Sequence, residues 1–289
     1  MTQHMRVLRP TENILAFYDG RIAGYRFADG ENWVDDGALS LGIASYAIVS
    51  GDEALVYDTH VSLAHAAFIR HTLAHAGVRQ ITVVLSHWHL DHVAGNEAFR
   101  DCEIIANERT AAHLIEKKAA IEGGLHEGPP GILPLILPQR TFAGSMRLDI
   151  GGIGVELIAA DIHSDDATVL WLPERRLLLA GDTMEDTVTY VAEPHGFDRH
   201  LADLDRLYGL GPDRILPNHG DPDIIAAGGY QKTLVRAMQQ YIRILKRCAA
   251  DPELRNVPLR ELIAAPLNAG WIHWFEPYEA VHRRNLEVV

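Results

Sequence analysis

Apolar and polar positions along the chain alternate in two distinct rhythms. NILAFYDG (13–20), ASYAIVSGDE (44–53) and ALVYDTH (54–60) are short apolar runs closed by Gly, Asp or His, the pattern of strands joined by turns. VSLAHAAFIRHTLAHAGV (61–78) changes to helical spacing and ends at Gly77, a predicted C-cap. ITVVLS (81–86) is a continuous β-branched run, as a buried strand requires. CEIIA (102–106) predicts a further strand and NERTAAHLIEKKAAI (107–121) a helix.

The second half repeats the scheme. SMRLDI, GVELIAA, ATVLWLP and RLLLAGD predict strands between 145 and 182. DRHLADLDRLYG (198–209) predicts a helix leading into the strand RILPNHG, and 230–248 predicts a long helix. Two more helices are expected over 258–265 and 277–287. Strands followed by helix, given twice, predict an α/β protein with two sheets packed on each other and helices outside. We expect one domain over 1–289 with a helical C-terminal extension from approximately 228. Between the halves, GGLHEGPPGILPLILP (123–138) is rich in Gly, Pro and apolar residues. It predicts a surface loop or a lid, with 131–138 closing over a cleft.

Composition narrows the class. With 26 Lys+Arg against 39 Asp+Glu, the net charge is −13, and there is no basic block. Nucleic-acid binding is not expected, because phosphate contacts need clustered cations. No apolar run reaches the ~18–20 residues of a membrane span, and MTQHMRVLRPTEN does not read as a secretory signal. The two cysteines, Cys102 and Cys248, rule out a disulfide scaffold. The expectation is a cytoplasmic enzyme with a small-molecule substrate, with homo-oligomerisation left open.

The candidate chemistry lies in histidine, of which there are 16. His87-Trp88-His89-Leu90-Asp91-His92 follows the buried strand 81–86 directly. Imidazole and carboxylate suit divalent transition metals, and so many polar groups at a buried strand end need a partner. His87 and His89 face the same way in extended chain. Asp91 and His92 come after the chain turns and could serve a second metal. His163, Asp182 and His219 each follow an apolar run. The spaced histidines His65, His71 and His75 lack a carboxylate or cysteine and predict no site.

SHWHLDHVAGN, with Asp58 in LVYDTH, His163 in HSDDATVLWLP, Asp182 in LLAGDT and His219 in LPNHG, resembles the metallo-β-lactamase superfamily over roughly residues 13–225. The resemblance implies a four-layer αββα sandwich with a metal site at one edge. It implies two divalent metal ions, zinc first, with iron or manganese as options. His87, His89 and His163 would hold one ion, and Asp91, His92 and His219 the other. Asp182 would bridge them and Asp58 would orient a ligand from behind. The implied reaction is hydrolysis of an ester, lactone, thioester, amide or lactam bond by a hydroxide held between the metals, with Asp91 aiming it. Acyl-homoserine lactonases share the ligand set but place a substrate tyrosine shortly after the bridging Asp, whereas Tyr190 lies farther along. The alternative on the same fold is a single-iron oxidoreductase resembling persulfide dioxygenases. Trp88, Tyr190 and His195 are the candidate substrate contacts. Trp271, His273, Trp274 and Tyr278 form an aromatic cluster, expected in a core or a dimer contact before a pocket.

Overall fold

A computed structural model describes residues 2–191 and 194–289. Among the described residues, twelve strands form two sheets. The first holds β1 (Arg6–Thr11), β2 (Ile14–Asp19), β3 (Ile43–Ser50), β4 (Glu53–Tyr57), β5 (Gln80–Val84), β6 (Glu103–Asn107) and β7 (Arg140–Phe142), side by side in chain order. β1 to β4 pair antiparallel and β4 to β7 parallel. The second holds β8 (Ser145–Ile150), β9 (Ile153–Ala159), β10 (Thr168–Leu172), β11 (Leu177–Gly181) and β12 (Arg214–Pro217), ordered β12-β11-β10-β9-β8. Only β11 and β12 are parallel there.

The side-chain period of two builds the layers. Along β2, Ile14, Ala16 and Tyr18 face the second sheet's Leu157, Leu170 and Leu179 in one core. Leu15 and Phe17 face the opposite way, into a core with Ala66, Ile69 and Leu73 of α1 (Leu63–His75) and Leu114 and Ile121 of α3 (Glu108–Glu122). Between these helices lies the single turn α2 (Leu90–Val93). α4 (Phe197–Gly209) and α6 (Thr233–Ala250) bury Leu204, Leu207, Met238 and Leu245 against the second sheet. The short α5 (Pro222–Ala226) lies between them in sequence. The tail continues as α7 (Leu259–Leu262), α8 (Ala264–Asn268) and α9 (Tyr278–Glu287). The expected four-layer α/β sandwich with C-terminal helices is therefore present.

Local chemistry explains the helix ends. Ser62 caps α1 by accepting from His65 N–H, and Asn107 caps α3 through Arg109 N–H. Gly77 follows α1 at φ +91°, a conformation open to glycine without strain. β1 was not anticipated: RVLRPT is largely exposed or half-buried and lacks an apolar face. No helix among the described residues is long and apolar enough to cross a membrane.

The loop 123–138 departs from expectation. Its apolar portion does not close over a cleft, because Ile132 and Leu135 are buried in the core beneath α3. Leu133 is left exposed. The preceding Glu127, Gly128 and Pro129 reach a cavity instead.

Candidate metal centre

The strand ends that meet at one rim of the sandwich carry the candidate ligands. Asp58 follows β4, and its φ of +67° is held by neighbours on every side. Ser86 N–H donates to Asp58 Oδ1 at 2.6 Å, and Asn218 Nδ2–H donates to Oδ2 at 2.5 Å. His87 and His89 lie in the extended segment after β5, and His89 is the N-cap of α2. The helical turn then redirects Asp91 and His92. Asp182 follows Gly181 at the end of β11. A Cβ on Gly181 would sit 2.8 Å from the Tyr57 hydroxyl, so only glycine lets this strand end approach the loop at Ser86 so closely.

Two sets of donor atoms converge. His87 Nε2, His89 Nδ1 and His163 Nε2 stand 2.9, 3.0 and 3.2 Å from one another. His92 Nε2 lies 3.4 Å from Asp91 Oδ1, and His219 Nε2 lies 3.3 Å from Asp91 Oδ2. Asp182 Oδ2 stands between the sets. It is 3.0 Å from His92 and 3.4 Å from His219, and 3.7 Å from His87 and 3.8 Å from His163.

The opposite ring nitrogens fix the tautomers. His163 Nδ1–H donates to Tyr190 O at 2.9 Å, and His219 Nδ1–H donates to Gly42 O at 2.8 Å. His92 Nδ1–H donates to Asp58 Oδ2 at 2.9 Å, and His87 Nδ1 pairs with Ser86 Oγ at 2.8 Å. In the neutral rings of His92, His163 and His219 this arrangement places the lone pair on an inward Nε2, as metal ligation requires.

Electrostatics separate the sets. Burial, reinforced by neighbouring imidazoles, holds His89 down to about 3 and His87 well below the usual histidine range. Burial also lowers His163 to about 4. Burial opposes charge at His92 too, but Asp182, Asp91 and Asp58 override it and push the ring well up. His219 is raised likewise, chiefly by Asp182.

A divalent ion fits this donor set. Three nitrogens bound tetrahedrally at ~2.0–2.1 Å stand roughly 3.3 Å apart, close to the spacing of the first set. Asp182 Oδ1 is buried with no hydrogen-bond partner, the kind of orphan a cation satisfies.

The rim opens into a cavity of 1280 Å³ that reaches His89, Asp91, His163, Asp182 and His219. Its far walls come from 26–41, 127–129 and α9, with Trp33, Leu41, Pro129, Pro277 and Val281 supplying apolar surface. Of the three candidate substrate contacts, Tyr190 lines this cavity. Trp88 packs against His89, His113 and His126 on the outer side of the loop and is not among the described lining residues. His195 is exposed on the single turn Pro194–Gly196, and it too is absent from the described lining.

Of the tail aromatics, Tyr278 is buried and Trp271 and Trp274 are half-buried against the main core. His273 is exposed and pairs with Asp186. The cavity face of the tail is instead Pro277, Ala280, Val281 and Arg284. His71 and His75 touch only each other's turn on α1, and no metal-ligand cluster among the described residues includes them.

Sequence reasoning missed Asn218, Glu185 and the 26–41 wall. Glu185 had a visible signal: an acid three residues after Asp182, inside the apolar and Thr-rich run TMEDTVTYV.

Comparison with known proteins agrees with this geometry. A family model described as the metallo-beta-lactamase superfamily matches residues 40–219. A beta-lactamase-like protein 2 homolog of Caenorhabditis elegans is 25% identical over 210 residues, 71% of this chain and 66% of its own length. A linear primary-alkylsulfatase of a Pseudomonas species is 26% identical over 182 residues, 48% of this chain and 34% of its own. The chain thus spans less than two thirds of the length of these curated relatives. Among solved structures, a metallo-beta-lactamase family protein from Thermus thermophilus superposes with a TM-score of 0.63 at 19% identity, covering 95% of this chain and 91% of that one. A metallo-beta-lactamase from Pontibacter korlensis gives 0.58 at 17%, covering 81% and 99%. These likenesses speak for the fold. Because the family model spans every converging ligand from Asp58 to His219, the chain belongs to the metallo-beta-lactamase superfamily.

Proposed function

We propose that this chain is a dinuclear metal-dependent hydrolase of a small molecule, cleaving an ester, lactone, thioester, amide or lactam bond. One observation carries the reading: two three-residue donor sets meet at a single carboxylate oxygen, Asp182 Oδ2. His87, His89 and His163 would hold one ion, and Asp91, His92 and His219 the other, with zinc the first expectation. Bound divalent ions supply a water that deprotonates near neutral pH and polarise the oxygen of the scissile group.

The chain's own residues do the rest. Asp91, lining the cavity, is held down to about 2 against burial by His92 and His219, so it stays an acceptor throughout the neutral range. Its carboxylate can accept a hydrogen bond from the attacking water and orient it. Asp58 and Asn218 lock His92 from behind. Tyr190 and the apolar wall of Trp33, Leu41 and Val281 hold the substrate body and shield the reacting bond from bulk water. The full second set supports this reading over single-iron oxidation, which needs no Asp91, His92 and His219 together.

The test is elemental analysis of protein purified without added metal. About two equivalents of zinc, manganese or iron per chain are expected. Turnover should follow in a panel of lactones, esters, thioesters and β-lactams, and should be lost on chelation. Close to one equivalent of iron, with no hydrolysis across the panel, refutes the proposal and favours the oxidoreductase alternative.

A further inference from the structure

The segment after Asp182 is fastened by the carboxy-terminal tail. Asp186 Oδ1 accepts from His273 N–H at 2.7 Å, and Thr187 Oγ1–H donates to His273 O at 2.6 Å. Asn285 Nδ2–H donates to Thr189 O at 3.0 Å, and Asn285 Oδ1 accepts from Val191 N–H at 2.9 Å. At the centre stands Glu185, 1% exposed, with its carboxylate between the tail and the first donor set. Oε2 accepts from Tyr278 O–H at 3.1 Å, at the start of α9. Oε1 accepts from Tyr190 N–H at 3.0 Å and lies 3.1 Å from Thr189 Oγ1, whose hydrogen reaches Asp182 O at 2.7 Å.

Tyr190 is thereby gripped at both ends. Its N–H rests on Glu185, and its C=O accepts the Nδ1–H of His163. Its ring lies 5.8 Å from the His163 ring and 6.5 Å from His89. Glu185 Oε1 is also 3.8 Å from His163 Nδ1 itself. Acceptor oxygens on that side, Tyr190 O above all, favour a hydrogen on Nδ1 and so an open Nε2 facing the site. A buried carboxylate is costly unless its oxygens are satisfied, and here both are engaged from opposite directions.

We infer that Glu185 is a positioning residue that couples helix α9 to His163 through Tyr190, an inference that rests on the metal-dependent reading above. Glu185 chooses the tautomer and orientation of one metal ligand and seats one cavity-lining ring. The tail thereby sets the quality of the first donor set without contributing a ligand.

The experiment uses the full chain, stripped of metal and titrated with Co(II). Visible absorption reports each equivalent and a chromophoric chelator gives its affinity. Glu185→Ala is expected to weaken one of the two equivalents by about 10- to 100-fold and to alter its absorption bands, leaving the other unchanged. Tyr278→Phe gives a smaller loss in the same equivalent. Glu185→Gln falls between wild type and Glu185→Ala, since its carbonyl still accepts from Tyr190 N–H, and it serves if the alanine variant does not fold. His273→Ala removes only the side-chain contact with Asp186 Oδ2, keeping the backbone bonds, and is expected to leave both Co(II) affinities intact. Wild-type affinities and spectra in the Glu185 and Tyr278 variants overturn the inference. So does equal weakening of both equivalents in all variants, His273→Ala included. Failure of the metal-dependent reading is separate and visible in the wild type alone, as absence of Co(II) or Zn(II) binding.

Discussion

The two donor sets of the candidate metal centre both rely on imidazoles set into the rim, yet these shift in opposite directions. His87, His89 and His163 are held neutral far into acid, whereas His92 and His219 hold protons well above the ordinary range. Burial lowers all five. Carboxylates make the difference. Asp58, Asp91 and Asp182 stand within 3.4 Å of His92, while the carboxylates beside the first set are farther off, Asp182 Oδ2 at 3.7 and 3.8 Å and Glu185 Oε1 at 3.8 Å. Asp182 Oδ2 stands between these two unlike sets.

Removing Asp182 should break the comparison most severely. Asp182→Ala is expected to lose both equivalents, with affinity down by more than about a hundredfold, beyond the loss of an outer partner. Elemental analysis of the purified variant checks this, and two retained equivalents would mean that the halves are independent.

Asp58→Asn sharpens it next. The variant takes away the anion that accepts His92 Nδ1–H, so one equivalent should weaken by about 10- to 100-fold while the His87–His89–His163 equivalent keeps its affinity. Chelator competition on the two-metal protein reads this directly, and equal weakening of both equivalents would contradict the assignment of separate sets.

The smallest effect carries the lesson away from the centre. His282 on α9 has no carboxylate beside it, and burial holds it down to about 4. Above pH ~6.5 both folded and unfolded rings are neutral and its contribution is fully present. As pH falls below that, the unfolded ring takes up a proton that the folded ring refuses, so stability declines until about pH 4. Urea unfolding of metal-free protein at pH 7 and pH 5 should show the loss, and His282→Phe should flatten that part of it. An unchanged pH slope in the variant would show that burial alone does not hold this ring neutral.

The legibility of these parts follows their spacing along the chain. His87 to His92 could be read directly, because six consecutive residues supply donors to both halves. Short apolar runs closed by turn residues likewise predicted β2 to β6, while the division of their side chains between two cores came only from the structure. Asp58, His163, Asp182 and His219 carry little signal singly and became readable through resemblance to a family. Asn218 and Arg284 gave no signal, and Glu185 gave only its place in an apolar run, because their roles arise from tertiary approach: Glu185 meets Tyr278 across 93 residues. β1 escaped because an edge strand with one partner needs no apolar face. The apolar stretch 131–138 misled because composition cannot distinguish a lid from a loop pinned into a core by Ile132 and Leu135.

The cavity has its ligands on one side and Pro277, Ala280, Val281 and Arg284 of the tail on the other. Those four positions lie beyond residues 40–219, the stretch that the family model matches. The donor cluster and this wall of the cavity therefore come from different stretches of the chain. A substitution at Ala280 or Val281 changes the wall without touching a candidate ligand.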